Sequence, residues 1–387
     1  MTDRCGMTVR GVALVALLVV GLVGIDACQA QKKAKKPAPQ YEFEKTTITA
    51  ATAAEPTLPK FSLSKAVEYI EQGNQLWWKK RNCVACHTNG IYGVMRPALT
   101  PFLGKPKAGT RKFLVADLAK MVAQPVESLR TGIRPTQVAY LAGGLAEWDR
   151  HVTRKLSPET DQALRLLLKL QSDDGSFSNT QCWPPFESSA YQGTTVAAMA
   201  IMAAPGWLEN LKDKDLQARV EKTRGYLRTA KPPHDYGKLL LLWTSTRMPG
   251  LIDAKLKQDL VASIWKHQQS DGGWSIRSFA QPEAWGNGNR AKKLRAEPEF
   301  KNPPSDGHQT GLAILVLRDA GVPAKDKRIA KGVKWLLNNQ RQSGRWWTRS
   351  LNTDSYHFIT YSGSCFPLIA LSKCGVLPVK QAVTAAP

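Results

Sequence analysis

The chain has 387 residues, 43% of them hydrophobic, with 54 Lys and Arg against 31 Asp and Glu and a formal net charge of +23. That apolar content excludes disorder throughout, and the length accommodates one large domain or two ordinary ones. Twelve Trp beside nine Tyr and ten Phe is a heavy indole load, and the charge suits anionic lipid, nucleic acid or simply a basic surface.

Residues 1–30 read as a secretory signal. Arg4 and Arg10 precede the uncharged run from Gly11 to Ile25, which is too short for a comfortable membrane span, and Cys28-Gln29-Ala30 offers a small-x-small cleavage site. Ile25-Asp26-Ala27-Cys28 is also similar to a bacterial lipoprotein box, apart from Asp26, so lipid attachment at Cys28 is the alternative. Removing residues 1–30 takes Arg4 and Arg10 but also Asp3 and Asp26, so the mature chain keeps its charge of +23. An exported protein of the periplasm or cell envelope is expected. Residues 31–60, rich in Lys, Pro, Thr and Ala and without periodicity, read as a flexible basic linker that an anionic membrane would attract.

A helix is expected over Leu63–Lys80, and directly after it comes Cys83-Val84-Ala85-Cys86-His87. In this C-x-x-C-H pattern two thiols can form thioethers to haem vinyl groups while the adjacent imidazole becomes an axial iron ligand. The competing readings are a zinc knuckle or a simple disulfide. Arg96-Pro97-Ala98-Leu99, with Gly104 beyond, resembles the G-P-x-L-x-G region of class I cytochromes c. Met95 and Met121 are the candidates for the sixth ligand. Residues 61–130 are therefore a haem-motif segment, either cytochrome-like or the first hairpin of the helical body, with the boundary placed where Gln124-Pro125, Gly132 and Pro135 interrupt the helices.

From Leu63 onward apolar residues recur at helical spacing, so the body is expected to be all-α. Three turns repeat: Gln171 to Gly175 and Phe177, Gln268 to Gly272 and Trp274, and Gln340 to Gly344 and Trp346. Each follows an amphipathic helix (Asp161–Leu170, Ile252–His267, Lys331–Asn339) and precedes a more apolar one (Gly193–Ala204, Gln309–Ala320, Thr360–Lys373). A degenerate unit, Tyr226–Ala230 then Leu239–Trp243, fills the gap between the first two. Gln can bond exposed backbone at a helix end, Gly supplies a turn closed to other residues and the aromatic packs, so several Trp are structural.

This constellation resembles the terpenoid cyclase and protein prenyltransferase superfamily, whose α/α toroid carries such Q/W motifs. The resemblance is strongest to the C-terminal part of squalene–hopene cyclases over 260–375: His308-Gln-Thr-Gly-Leu-Ala, Gly332-Val-Lys-Trp-Leu, and Asp354-Ser-Tyr356 through Phe366-Pro367. It implies an α/α toroid over 131–378, followed by a tail at 379–387, and an isoprenoid or other lipid as ligand. The cyclases' protonating D-x-D-D is missing; Asp173-Asp174 and Lys212-Asp213-Lys214-Asp215 are fragments of it. Prenyltransferase β-subunits hold zinc through a D-G-C and a D-F-Y-H stretch, and the resemblance of Asp306-Gly307-His308 and Asp354-Ser355-Tyr356-His357 to these implies zinc at Asp306, His308 and His357, with His308 in place of Cys. The alternative is a helix cap and two ordinary hydrogen-bonded histidines.

Three functions stay open: a lipid-handling enzyme carrying haem c, a non-catalytic toroid fused to an electron-transferring cytochrome with a redox partner, and an α/α-barrel enzyme acting on an anionic polysaccharide. No nucleic-acid motif accompanies the charge.

Overall fold

The computed structural model describes residues 38–177, 183–186 and 189–380, so the signal segment, Cys28, Cys182 and residues 381–387 of the tail lie outside the described residues. Twelve of its helices pair into six hairpins, numbered here so that odd helices are outer and even helices inner. They are α1 (Leu63–Arg81), α2 (Ile91–Met95), α3 (Ala108–Val122), α4 (Arg134–Trp148), α5 (Pro158–Lys169), α6 (Ala190–Ala203), α7 (Lys214–Thr229), α8 (Asp235–Ser245), α9 (Ala254–Lys266), α10 (Gly307–Asp319), α11 (Lys327–Asn338) and α12 (Ser362–Lys373).

The two sets differ in pattern for a physical reason. Outer helices bury one stripe, as α11 does with Ile329, Gly332, Trp335 and Leu336. Inner helices are buried all round: every residue of α10 from Gly307 to Leu317 is inaccessible, and so is α4 from Pro135 to Trp148. Side-chain caps start both kinds, with Ser157, Ser189, Asp213, Asp253 and Asp306 accepting first-turn backbone N–H groups. Inner helices pack in the order α2, α4, α6, α8, α10, α12 and back to α2, which closes an all-α toroid. Where α10 meets α12 the backbones nearly touch, because a Cβ on Gly311 would fall 2.4 Å from the nitrogen of Pro367.

The repeated turns join one outer helix to the next. Gln171 Nε2 donates to the carbonyls of Gly175 and Arg219, Gln268 Nε2 to those of Gly272 and Arg328, and Gln340 Nε2 to those of Gly344 and Ser62. Arg219 lies on α7 and Arg328 on α11, whereas Ser62 caps α1. The third turn thus fastens the end of the ring to its beginning, and Gln340 Oε1 also accepts the Ser62 N–H at 2.7 Å. Phe177, Trp274 and Trp346 are all but inaccessible, and the two indoles donate to Ile264 and Leu336 carbonyls of the preceding outer helix.

Two expectations change. Residues 38–60, expected as part of a flexible linker, form a strap with a short antiparallel pair, β1 (Tyr41–Phe43) and β2 (Thr46–Ile48). The strap is held by tertiary partners: the buried Arg345 guanidinium donates to Glu55, to the Thr49 and Ala50 carbonyls and to Gln40 Oε1. Three-residue strands leave no periodic signal. Second, the cut near residue 130 does not separate two bodies, since α2 is wedged between α4 and α12 of the ring. No described helix is long and apolar enough to cross a membrane.

Removing the Gln340 amide leaves the Ser62 N–H and the Gly344 carbonyl without that partner, while the Ser62 carbonyl keeps the Ala66 N–H, so Gln340→Ala should lower the unfolding free energy measured in urea by about 2–3 kcal/mol. Gly344 has φ +92° and the Lys65 carbonyl oxygen 2.2 Å from where a Cβ would sit, whereas Gly321 has φ +99° in open space. Urea denaturation should therefore find Gly344→Ala clearly more destabilising than Gly321→Ala; equal losses would refute a role for the contact with α1.

Candidate functional site

All inner helices run the same way, so one end of the toroid collects their N-termini and the other their C-termini. At the N-terminal mouth lies a cavity of about 500 Å³, within the range of small-molecule sites. Below it the bore narrows to about 40 Å³, and at the far end a third cavity of about 240 Å³ opens among the helix C-termini.

Cys83, Cys86 and His87 all line the mouth cavity. The chain leaves α1 at Asn82, whose left-handed backbone (φ 50°) turns it sharply, and Cys86–Gly90 forms a wide π-type turn before α2. Asn89 pins this loop from both sides, its Oδ1 accepting the Ala85 N–H at 2.7 Å and its Nδ2 donating to the Cys83 carbonyl at 3.0 Å. Gln137 on α4 donates to the Val84 carbonyl at 2.8 Å. The His87 ring lies face to face with Phe358 (5.5 Å, 12°) and edge-on to Trp77 (4.8 Å, 89°), while its Nδ1 meets Thr88 Oγ1 at 2.7 Å. Burial holds the imidazole down at about 4, hence neutral near pH 7, and the same cause raises the Cys83 thiol.

The methionine expectations need correcting. Met121 is buried in α3, and Met95, at the inner end of α2, lines the bore and the far cavity; neither is among the residues around the mouth cavity. The mouth instead carries Phe186, Trp183 and the 350–359 loop opposite the C-x-x-C-H turn.

Asp306, His308 and His357 are likewise not brought together, and the described residues contain no group of three or more His, Cys, Asp or Glu arranged to hold a metal. Each has its own partners. Asp306 caps α10, its Oδ1 accepting the Gln309 N–H and its Oδ2 the Ile276 N–H, while burial raises its carboxyl to about 6. His357 Nδ1 accepts the Ser350 N–H at 3.1 Å. His308 sits in a relay whose direction is fixed by its far end: Ser362 Oγ donates to the Ile359 carbonyl and so accepts from His308 Nδ1–H, which leaves Nε2 to accept from the Tyr236 hydroxyl at 3.2 Å. Two nitrogens engaged in this way offer no lone pair to a metal.

The bore is apolar and aromatic, with Tyr140, Tyr236, Trp243, Phe366 and, at its upper end, Phe186, which also faces the mouth. Among the described residues, the one acidic residue lining it is Glu147. Burial alone would raise this carboxyl, but the Arg247 guanidinium and His151 outweigh it and hold the group at about 2. It is a fixed negative charge rather than a proton donor.

Residues 236–375 match the squalene–hopene cyclase C-terminal domain. The fold is a cyclase-like toroid. No curated protein matches the chain. Among solved structures, a variant of the type II terpene cyclase MstE from Scytonema in complex with its substrate geranylgeranyl dihydroxybenzoate is similar at 13% identity, covering 74% of this chain and 87% of that one, with a TM-score of 0.42. The matched segment of this cyclase-like toroid holds α8 to α12 and all three expected zinc residues; the C-x-x-C-H turn lies outside it.

Sequence reading missed Phe358, Asn89 and Gln137, which orient His87 and its loop. Asn89 had a local signal, two residues after the motif, but Gln137 comes from α4 and Phe358 from the 350–359 loop. Of the remaining cysteines, Cys365 and Cys374 are thiols.

His87, His234 and His357 are held at about 4 and His308 at about 3, chiefly by burial. A histidine lowered in this way stabilises the fold fully above its unfolded value of about 6.5 and loses that contribution as pH falls toward the folded value. Asp306, raised to about 6, and Asp117, also raised by burial, have the opposite sign, but two groups oppose four. The urea midpoint should therefore drop between pH 7 and about pH 4.5, with net proton uptake on unfolding; an unchanged midpoint would contradict the buried neutral histidines.

Proposed function

We propose that this protein is an exported c-type haem protein in which a non-catalytic cyclase-like toroid serves as the holder and an electron-transferring centre sits in its mouth. The observation that carries this reading is the convergence of Cys83, Cys86 and His87 on one cavity of about 500 Å³. Each thiol would add across a vinyl group, sulfur bonding one carbon and the thiol hydrogen passing to the other. His87 would supply its Nε2 lone pair, since Nδ1 faces Thr88. Haem held there supplies one-electron redox chemistry. Phe358 and Trp77 fix the plane of the imidazole, and the pinned backbone at Val84 and Ala85 sets the spacing of the two sulfurs. Export fits the reading because haem is attached covalently outside the cytoplasm, which the signal at residues 1–30 anticipates.

Cyclisation of an isoprenoid inside the bore is the weaker reading. About 40 Å³ is far below the several hundred that a small-molecule site occupies, and the carboxyl lining it is ionised. An anionic polysaccharide site finds no support there either, because the bore is apolar.

The test is an intact mass and absorption spectrum of mature protein from a host able to mature cytochromes. One haem should be retained through acid-acetone extraction and lost in Cys83→Ser/Cys86→Ser, while Met95→Leu and Met121→Leu leave the bands in place. A colourless wild-type protein would sink the proposal.

A further inference from the structure

The rim of the mouth has a composition that the haem reading does not use. Five large hydrophobic side chains are exposed among the described residues, and the two aromatic ones, Trp183 (44%) and Tyr356 (48%), both stand on this rim. Tyr356 is held out by an unfavourable backbone: it and His357 take φ of +61° and +46°, a region that costs a residue with a Cβ about 1 kcal/mol or more. The arrangement is maintained by Gln40 Nε2, donating to the His357 carbonyl, and by the Ser350 N–H on His357 Nδ1.

Cations sit at the adjoining end of α1. The last turn of α1 is Lys79-Lys80-Arg81, and Arg81 itself lines the mouth. Lys80 reaches over the Tyr41 ring and donates to the Glu42 carbonyl, Lys79 has the exposed Glu44 carboxylate 3.9 Å away, and Arg81 lies over Trp77. The N-terminal end of α4, at Ile133 and Gln137, borders the same opening and adds its positive partial charge. In sequence, Lys32, Lys33, Lys35 and Lys36 precede the strap that begins at this loop.

We propose that the mouth rim is a membrane-docking surface that seats on an anionic phospholipid leaflet, with the Trp183 and Tyr356 rings entering the headgroup region and Arg81, Lys79 and Lys80 facing lipid phosphate. Half-exposed indole and phenol rings beside a cationic cluster match the aromatic and basic belts of membrane interfaces. The surface also gives the excess of positive charge a task. It holds whether or not haem is bound.

The experiment is sedimentation of the mature chain, residues 31–387, which lacks the lipidation candidate Cys28, with phosphatidylcholine vesicles, with and without about one-third phosphatidylglycerol. The protein should bind the anionic vesicles, bind neutral ones weakly, and dissociate as salt rises from about 0.1 M to about 0.5 M. Trp183→Ser/Tyr356→Asn should lower the partition coefficient about 10-fold with an unchanged unfolding transition, Asn being chosen because it tolerates the left-handed backbone. Arg81→Gln should lower it about 5-fold. Brominated phospholipid should quench wild-type tryptophan fluorescence more than that of Trp183→Ser, which reports insertion even if the double variant misfolds. Three results overturn the proposal: a rim variant that binds like wild type, so that the tether lysines alone carry binding; equal binding to neutral vesicles; or a protein that ignores vesicles and is retained only by an acidic protein matrix.

Discussion

The amide of Gln340 joins the two ends of the chain's ring. A toroid of helical hairpins closes only if its last outer helix is held against its first, and here one side chain accepts the Ser62 N–H while donating to the Ser62 and Gly344 carbonyls. The same turn exposes Gly344 to α1 so closely that no Cβ fits, and the next residue, Arg345, gathers in the strap through Glu55, Thr49, Ala50 and Gln40. Buried donors and acceptors must be paired, so this junction fixes the order of hairpins and the position of the chain that enters it. The strap then braces the mouth, because Gln40 reaches the His357 carbonyl and Tyr41 stacks on Trp77, which in turn meets His87.

Closure gives the molecule a direction. With every inner helix pointing the same way, the mouth receives N-termini, loops and the C-x-x-C-H turn, while the far end receives C-termini with Arg150, Arg247 and Lys373 beside them. The far-end cations belong there, since Arg150 donates to the Met202 carbonyl and Arg247 to the Glu147 carboxylate. The bore between the two ends is narrow and apolar, and the Glu147 carboxylate that lines it is paired with Arg247. The chain's soft and redox-capable groups lie at the rim instead.

Much of this was legible in the chain. The repeated Gln-x-x-x-Gly-x-aromatic turns predicted the hairpins, and the helices expected at Ile252–His267 and Gln309–Ala320 appear as Ala254–Lys266 and Gly307–Asp319. A turn motif is readable because its glycine, glutamine and aromatic act over five or six residues. The strap was not readable, because strands of three residues leave no period and its order comes from Arg345, almost 300 positions away. Asp306, His308 and His357 looked like a metal set because their helix starts are neighbours; which atoms their lone pairs serve is decided by Ile276, Tyr236, Ser362 and Ser350.

The sequence by itself determined the helical class, the repeat, the basic charge and the grouping of two cysteines with a histidine, since each is a property of residues close together along the chain. Tertiary structure decided the rest. Only packing of six hairpins shows that Met95 and Met121 do not line the mouth cavity, that the bore is filled, and that Phe358 and Gln137 arrive from opposite sides to hold the His87 loop. Those outcomes depend on which faces meet across the ring, and contacts between residues 53 positions apart, as Gln137 and Val84 are, or far more, as His87 and Phe358 are, leave no local pattern to read.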